Sequence, residues 1–326
     1  MVKALGLFSG GLDSVLACKL LMEQGIEILG VCFISPFFSS DGAKIAAKAL
    51  EIDLEEIDFS KEHLAMVKEP LSGYGSNMNP CIDCHALMLE WAGELLQERN
   101  CDFLFTGEVL GERPMSQNRN SLNRVAKLSG YREKILRPLS ALLLPETEME
   151  RSGLVDRSRL AGISGRSRKP QMDLASRFGI STYETPSGGC LLTDPNYSKR
   201  LSNLFTTMPD CEARHCKLLR MGRLFWLGEG TFCVVGRNES ENDRLEEAFI
   251  EGDVKLHVDG DIPGATALLI GAYHEDCVKR AGQLALRYSA AKNLLSAKIA
   301  VYHGKSRKTI EVASASAGEI ESWRSP

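Results

Sequence analysis

Along the amino-terminal side of the chain, short apolar runs alternate with stretches of helical periodicity. Ala4 to Phe8 predicts a buried strand and Val15 to Leu21 a helix, with a Ser-Gly-Gly turn between them. Ile26 to Phe33 is continuous and rich in β-branched residues, which predicts a second strand buried on both faces. Ala43 to Leu50 predicts a helix, Leu54 to Asp58 a short strand, and Lys61 to Lys68 another helix. A strongly helical run from Ala86 to Gln97 and a strand at Phe103 to Phe105 follow. A helix is expected near Pro145 and another over Pro170 to Phe178. Strand–helix alternation of this kind builds a parallel sheet with right-handed crossovers, which meets ligands at the carboxyl ends of its strands.

From about Tyr197 the pattern changes. Leu224 to Leu227 and Thr231 to Val235 predict two strands joined by Gly228-Glu229-Gly230, a hairpin. A short helix capped by Asn238 follows, then strands at Val254 to Val258 and Ala265 to Ile270. Glu275 to Ala290 predicts a helix, and Lys298 to His303 with Thr309 to Ala313 a second hairpin. The fold class expected is therefore α/β, a parallel-sheet domain over residues 1–196, followed by a smaller α+β domain with an antiparallel sheet over residues 197–326.

A length of 326 residues suits two such domains. The formal net charge of −4 excludes a protein that is basic all over, so a nucleic-acid partner must be met by local patches. The amino terminus has no charged-then-apolar leader, and no apolar stretch is long enough to span a bilayer. The expectation is a cytoplasmic protein with no membrane partner. In that compartment the ten cysteines are not a disulfide framework. Cys18, Cys32 and Cys233 lie in apolar contexts and read as small core residues.

Ser9-Gly10-Gly11-Leu12-Asp13-Ser14 lies where the first strand meets the first helix. A glycine-rich turn at a helix amino terminus offers free backbone N–H groups and a positive dipole end to an anion. Ser9 and Ser14 can donate to phosphate oxygens, and Asp13 can hold the accompanying Mg2+. No lysine follows the glycines, which excludes the kinase and GTPase type of loop. The six residues resemble the signature of the PP-loop ATP pyrophosphatases. The resemblance implies an adenine nucleotide alpha-hydrolase-like fold and cleavage of ATP to AMP and pyrophosphate while a substrate oxygen is adenylated. Ser35 to Ser40, after the second strand, is where a base or ribose is expected.

Asn79-Pro80-Cys81-Ile82-Asp83-Cys84-His85 opens the long helical run. Two cysteines at this spacing can share a metal, and a helix amino terminus favours thiolate. A zinc ribbon needs a second Cys-x-x-Cys, and the spacing of Cys211, His215 and Cys216 is wrong for one. Cys190 follows Pro186-Ser187-Gly188-Gly189, a turn in which a thiol is accessible. The pair plus a distant third cysteine resembles the sulfur-inserting branch of the PP-loop enzymes. That resemblance implies a [4Fe–4S] cluster on Cys81, Cys84 and Cys190, or a persulfide on one of them resolved by another. The presence of both Cys81 and Cys84 favours the cluster.

Thr106-Gly107-Glu108-Val109-Leu110-Gly111-Glu112, Ser116-Gln117-Asn118 and Leu136-Arg137-Pro138-Leu139 resemble stretches of the tRNA 4-thiouridine synthetases. Asn79-Pro80 with the later cysteine resembles the 2-thiouridylases. Thr106 and Gly107 then join Ser9, Gly10, Gly11, Asp13 and Ser14 as ATP and pyrophosphate contacts, with Glu108, Gln117 and Arg119 facing the nucleotide. The segment Arg151 to Lys169 is the most basic in the chain and a candidate for phosphate-backbone contacts. In the second domain, Val235 to Asn242, Leu256-His257-Val258, Ile262 to Ala265 and Tyr288 to Lys292 resemble the RNA-binding domain of the NFACT family. That likeness implies RNA contacts from Arg237, Asn238, His257 and Lys292. The expectation is ATP-dependent thiolation of a tRNA uridine, fed by sulfide or a persulfide carrier protein, in an unspecified oligomeric state. Two alternatives stand beside it: a PP-loop synthetase that adenylates a small molecule for amidation, and a non-enzymatic RNA-binding adaptor.

Overall fold

The computed structural model describes residues 2–180 and 190–324. The chain divides into two compact units, Met1–Thr193 and Asp194–Pro326.

In the first unit the strands are β1 (Lys3–Leu7), β2 (Glu27–Ile34), β3 (Asp53–Asp58), β4 (Phe103–Thr106) and β5 (Ile135–Leu136). They form one sheet in the order β3-β2-β1-β4-β5, and every pairing is parallel. The helices between them are α1 (Leu12–Met22), α2 (Asp41–Leu50), α3 (Ser60–Lys68), α4 (Cys81–Glu98) and α5 (Arg119–Leu128), followed by α6 (Glu148–Arg151) and α7 (Lys169–Arg177). One apolar cluster joins Phe8, Leu16, Leu20, Phe103 and Phe105, and another joins Leu5, Phe33, Phe59, Leu89 and Val125. Neighbouring residues on β1 and β4 fall in different clusters, as alternating sides of a strand require.

Strand order reverses between β1 and β4, so their carboxyl-end loops lie side by side at a topological switch point, where open parallel sheets bind ligands. Three elements differ from the sequence expectation. The helix at the Cys-x-x-Cys begins at Cys81 itself, so both cysteines belong to its first turn. The helix expected near Pro145 is a single turn closed by a capping box between Thr147 and Glu150. The edge strand β5 ends at Leu136, just before Arg137 and Pro138, and is too short to carry a periodic signal.

The second unit opens with α8 (Pro195–Thr207) and α9 (Ala213–Leu218). Its strands are β6 (Arg223–Gly228), β7 (Thr231–Val235), β8 (Val254–Val258), β9 (Ala267–Gly271), β10 (Ser296–His303) and β11 (Ser306–Ala313). They pair antiparallel in the order β11-β10-β8-β9-β7-β6. The helix α10 (Glu239–Ala248) follows β7, α11 (Glu275–Arg287) packs on the sheet, and α12 (Ala317–Ser322) closes the unit. The α11 helix stops at Arg287 because Ala290 N–H turns away to donate to the Pro263 carbonyl. The fold class is α/β with a five-stranded parallel sheet, followed by a mixed unit with an antiparallel sheet. Among the described residues no helix is long and apolar enough to cross a membrane.

Candidate functional site

The Phe8-to-Leu12 turn carries Gly10 at φ 78°, a left-handed conformation that favours glycine. A Cβ there would also lie 2.3 Å from the Gly42 carbonyl oxygen. The turn is braced internally: Ser14 Oγ donates to the Gly11 carbonyl at 2.8 Å, and Gly11 N–H donates to Ser9 Oγ at 3.3 Å. Across the switch point, a Cβ on Gly107 would stand 2.6 Å from the backbone of Asp13 and Ser14. Gly107 is therefore where the β4 loop presses on the amino terminus of α1. Thr106 is buried, and its hydroxyl donates to Glu108 at 3.1 Å.

Asp13 has a buried carboxylate oxygen with no hydrogen bond among the described residues. Burial pushes its pKa above the ordinary carboxylate range, against the pull of Arg168 and then Arg113. Glu112 is raised as well, by burial and then by the charge of Asp13. The two carboxylates and two guanidiniums thus converge beside the phosphate loop. Gln171 on α7 is fully buried next to them. An unsatisfied carboxylate oxygen on a glycine-rich turn, with a second carboxylate in reach, fits a Mg2+ ion shared with phosphates.

Glu108 does not face that space. It is 4% exposed, accepts from Arg137 Nε at 2.9 Å, and meets His85 Nδ1 at 2.9 Å. Burial works to raise its pKa, but Arg137 and His85 outweigh burial and hold it down at about 2. Arg119 donates to the Leu143 carbonyl at 3.0 Å, and Gln117 is buried. The expectation that these three face a nucleotide is corrected for Glu108, whose charge locks α4 to β4 and β5.

Cys81, Cys84 and Cys190 come within electrostatic reach of one another. The thiol of Cys84 is raised by burial, then by Cys190 and Cys81. The Cys190 thiol is pushed up to about 11, chiefly by burial, while Arg113 pulls it down. Leu191 N–H donates to the Phe37 carbonyl at 3.0 Å, which docks the Cys190 segment on the loop after β2. The Ser187-Gly188-Gly189 turn that precedes Cys190 lies outside the described residues. Asn79 Nδ2 donates to Cys81 Sγ at 3.4 Å, and Asp83 anchors the preceding loop by accepting from Ser72 N–H at 2.7 Å.

Cys84 Sγ lies 3.3 Å from His63 Nε2. His63 is fully buried among Phe37, Phe38 and Phe59, stacked on Phe59 with ring centroids 4.6 Å apart. Burial lowers its pKa to about 3, so the ring is neutral. The sequence placed His63 on a helix without a role, since a lone histidine on an amphipathic helix carries no signal. Among the described residues no group of three His, Cys, Asp or Glu side chains is arranged to hold a metal ion. Three thiols supply the chemistry of a cluster ligand set, but their present spacing does not form one.

The basic segment after Glu150 is half committed to its own chain. Arg157 pairs with Glu150, Arg151 donates to the Glu146 carbonyl, and Arg159 to the Glu23 carbonyl. Arg166 and Lys169 stay exposed, and Arg168 acts on Asp13.

In the second unit three of the four RNA candidates fall in two places. Arg237 and Asn238 line an open depression of about 490 Å³ with Arg223, Asn242, Gly264 and Tyr288. Arg237 is paired with Glu241, and Asn238 caps α10 by accepting from Glu241 N–H at 3.0 Å. His257 stacks on Tyr302 with centroids 5.4 Å apart, and Lys255 lies 5.0 Å above the same ring. Tyr302, which the sequence did not single out, adds an aromatic ring to this face, where Lys255 is also paired with Glu246. Lys292 is exposed.

Residues 1–143 match the family described as thiamine biosynthesis protein (ThiI), and residues 222–324 match the NFACT protein RNA binding domain. The first match falls on the unit with the phosphate loop and the second on the unit with the antiparallel sheet, where the motifs led us to expect each resemblance. A probable tRNA sulfurtransferase of Bacillus licheniformis is 27% identical over 192 residues, covering 56% of this chain and 44% of the relative. The chain spans less than half the length of that relative. A solved 4-thiouridine synthetase–RNA complex with bound ATP is 20% identical, covering 56% of this chain and 54% of the other at a TM-score of 0.35. The C-terminal part of the fibronectin/fibrinogen-binding protein of Streptococcus suis is 15% identical, covering 56% and 87% at a TM-score of 0.29.

Proposed function

We propose that the chain is an ATP-dependent tRNA uridine sulfurtransferase. The observation that carries this reading is Arg113, whose charge acts on both Asp13 and Cys190. A phosphate loop and three thiols that feel one guanidinium support a shared site, which adenylation coupled to sulfur chemistry needs.

In this reading the backbone of Gly10 and Gly11, with Ser9 and Ser14, holds the phosphates of ATP, and Asp13 with Glu112 holds Mg2+. When bound, Mg2+ supplies charge neutralisation as pyrophosphate departs. Arg113 and Arg168 spread the developing charge, and alignment does the rest. The uridine carbonyl oxygen attacks the α-phosphorus and pyrophosphate leaves. Cys190, partly buried and within reach of the Arg113 charge, carries a persulfide received from a carrier protein or built from sulfide and an oxidant. Its terminal sulfur attacks the activated ring carbon and AMP leaves. A thiol of the Cys81–Cys84 pair then attacks the Cys190 sulfur. This breaks the S–S bond, releases the thiolated uridine, and leaves a disulfide for an external thiol to reduce. His63 holds the Cys84 side chain in place, and the second unit brings the tRNA.

The test is a single assay of tRNA with ATP, Mg2+ and a persulfide donor, read as pyrophosphate release and thiolated nucleoside. Pyrophosphate release that is independent of tRNA but stimulated by an amine would instead assign an amidating synthetase. No nucleotide turnover with tRNA present would leave a binding protein. Anaerobic reconstitution with iron and sulfide separates the two sulfur routes. Bound iron that is lost in Cys81→Ala, Cys84→Ala and Cys190→Ala assigns a [4Fe–4S] cluster. Thiolation without iron assigns the persulfide.

A further inference from the structure

We propose that Gln171 is a ligand-binding residue, its carboxamide meeting the magnesium-bound phosphates of ATP opposite Asp13; this rests on the phosphate-loop reading above.

The α7 helix packs on α1, and Gln171 and Ala175 are its buried positions, four residues apart on one face. A face that packs on a neighbouring helix calls for apolar side chains, and Ala175 meets that demand. Gln171 does not. Its carboxamide carries two donors and an acceptor, and buried groups of this kind almost always find partners. Here the side chain is 0% exposed, and neither Nε2 nor Oε1 has a hydrogen bond among the described residues.

The neighbour of this orphaned amide is Asp13, which has its own buried, unpartnered oxygen. The Gln171 carboxamide helps to hold the Asp13 pKa down, yet no bond of ordinary hydrogen-bond geometry joins the two, and neither has another partner among the described residues. Arg168, three residues before Gln171, acts on the same carboxylate. A third group that meets the carboxamide, the Asp13 carboxylate and Arg168 together is anionic, brings a cation, and sits at the amino terminus of α1. A magnesium-bound phosphate chain has that chemistry: Nε2 donates to a phosphate oxygen, and Oε1 accepts from a water on the metal. A glutamine kept only for the fold would be bonded to backbone or side chain, as Asp83 and Glu108 are.

The test is calorimetric binding of ATP with Mg2+, and of AMP alone, to the full chain carrying Gln171→Met, Gln171→Leu or Asp13→Asn. Melting temperature without nucleotide is measured beside it. Both apolar variants should weaken ATP by about 10-fold or more and AMP far less, with a melting temperature equal to or above that of the wild type. Wild-type ATP affinity in both apolar variants overturns the proposal. So does a lowered melting temperature with affinity unchanged, which would mark a structural glutamine bonded through internal water. If Asp13→Asn loses ATP while the Gln171 variants keep it, only this inference falls. If the wild type binds no ATP with Mg2+, the phosphate-loop reading falls with it.

Discussion

Replacing Glu108 with glutamine removes one negative charge from a buried site and leaves its partners in place. The carboxylate is 4% exposed, and Arg137, 9% exposed, is held against it at 2.9 Å. Its pKa falls from the ordinary 4.5 to about 2, which at about 1.36 kcal/mol per pH unit corresponds to roughly 3 kcal/mol of stability at neutral pH. The same figure follows from the cost of breaking a buried ion pair on one side, about 3–5 kcal/mol, because the guanidinium of Arg137 is left uncompensated. For a unit of this size about 3 kcal/mol lowers the melting temperature by roughly 6–12 °C. The sign of the pH dependence follows from the depressed pKa. The stabilisation is complete above about pH 4.5 and is lost as pH falls toward 2. Differential scanning calorimetry of wild type and Glu108→Gln at pH 7 should show the gap in the first unit's transition, and the gap should narrow at pH 3. Hydrogen exchange in α4 and β4 assigns that transition. A variant that melts within 2 °C of wild type at pH 7 refutes the reasoning.

Asp13→Asn should keep the wild-type melting temperature and lose pyrophosphate release with tRNA present; retained release would remove the metal role of Asp13. Gly107→Ala puts a Cβ 2.6 Å from the backbone of Asp13 and Ser14, so it should cost about 1–3 kcal/mol and distort the phosphate loop, read as a lower melting temperature together with weaker ATP binding. Cys190→Ala and the double variant Cys81→Ala with Cys84→Ala should each abolish thiolation, whereas Cys211→Ala and Cys216→Ala, at buried positions of the second unit, should retain it when assayed below their melting temperatures. Tyr302→Ala removes the ring on which His257 and Lys255 rest and should weaken tRNA binding several-fold, measured by filter binding across a salt series. Unchanged affinity would move the RNA contact away from that face.

The phosphate loop was legible in the sequence because its chemistry is local. Two glycines, two hydroxyls and a carboxylate within six residues need only a strand before them and a helix after them, and hydrophobic patterning supplied both. The two-part division was legible for a similar reason, since continuous apolar runs and alternating ones demand different sheets. The RNA-binding motifs of the second unit were readable as order and spacing, and Asn238 as a cap, but His257 as part of a surface stack was not. Capping is settled by the neighbouring backbone, stacking by a strand more than forty residues away.

What only the tertiary structure decided is which distant groups share one space and which face the interior. Glu108 reads as a site residue from its motif, yet the charge of Arg137, which follows directly after β5, draws it inward. His63 and Gln171 are unremarkable letters on two amphipathic helices. They stand out only when three phenylalanines close around the first and the second is left without a partner beside Asp13. Cys190 comes within electrostatic reach of the Cys81–Cys84 helix turn because Leu191 N–H docks its segment on the Phe37 carbonyl, in the loop after β2. Periodicity reports burial and secondary structure one element at a time; hydrogen-bond satisfaction and electrostatic coupling depend on pairs of elements, and the pairing is fixed by the packed sheet.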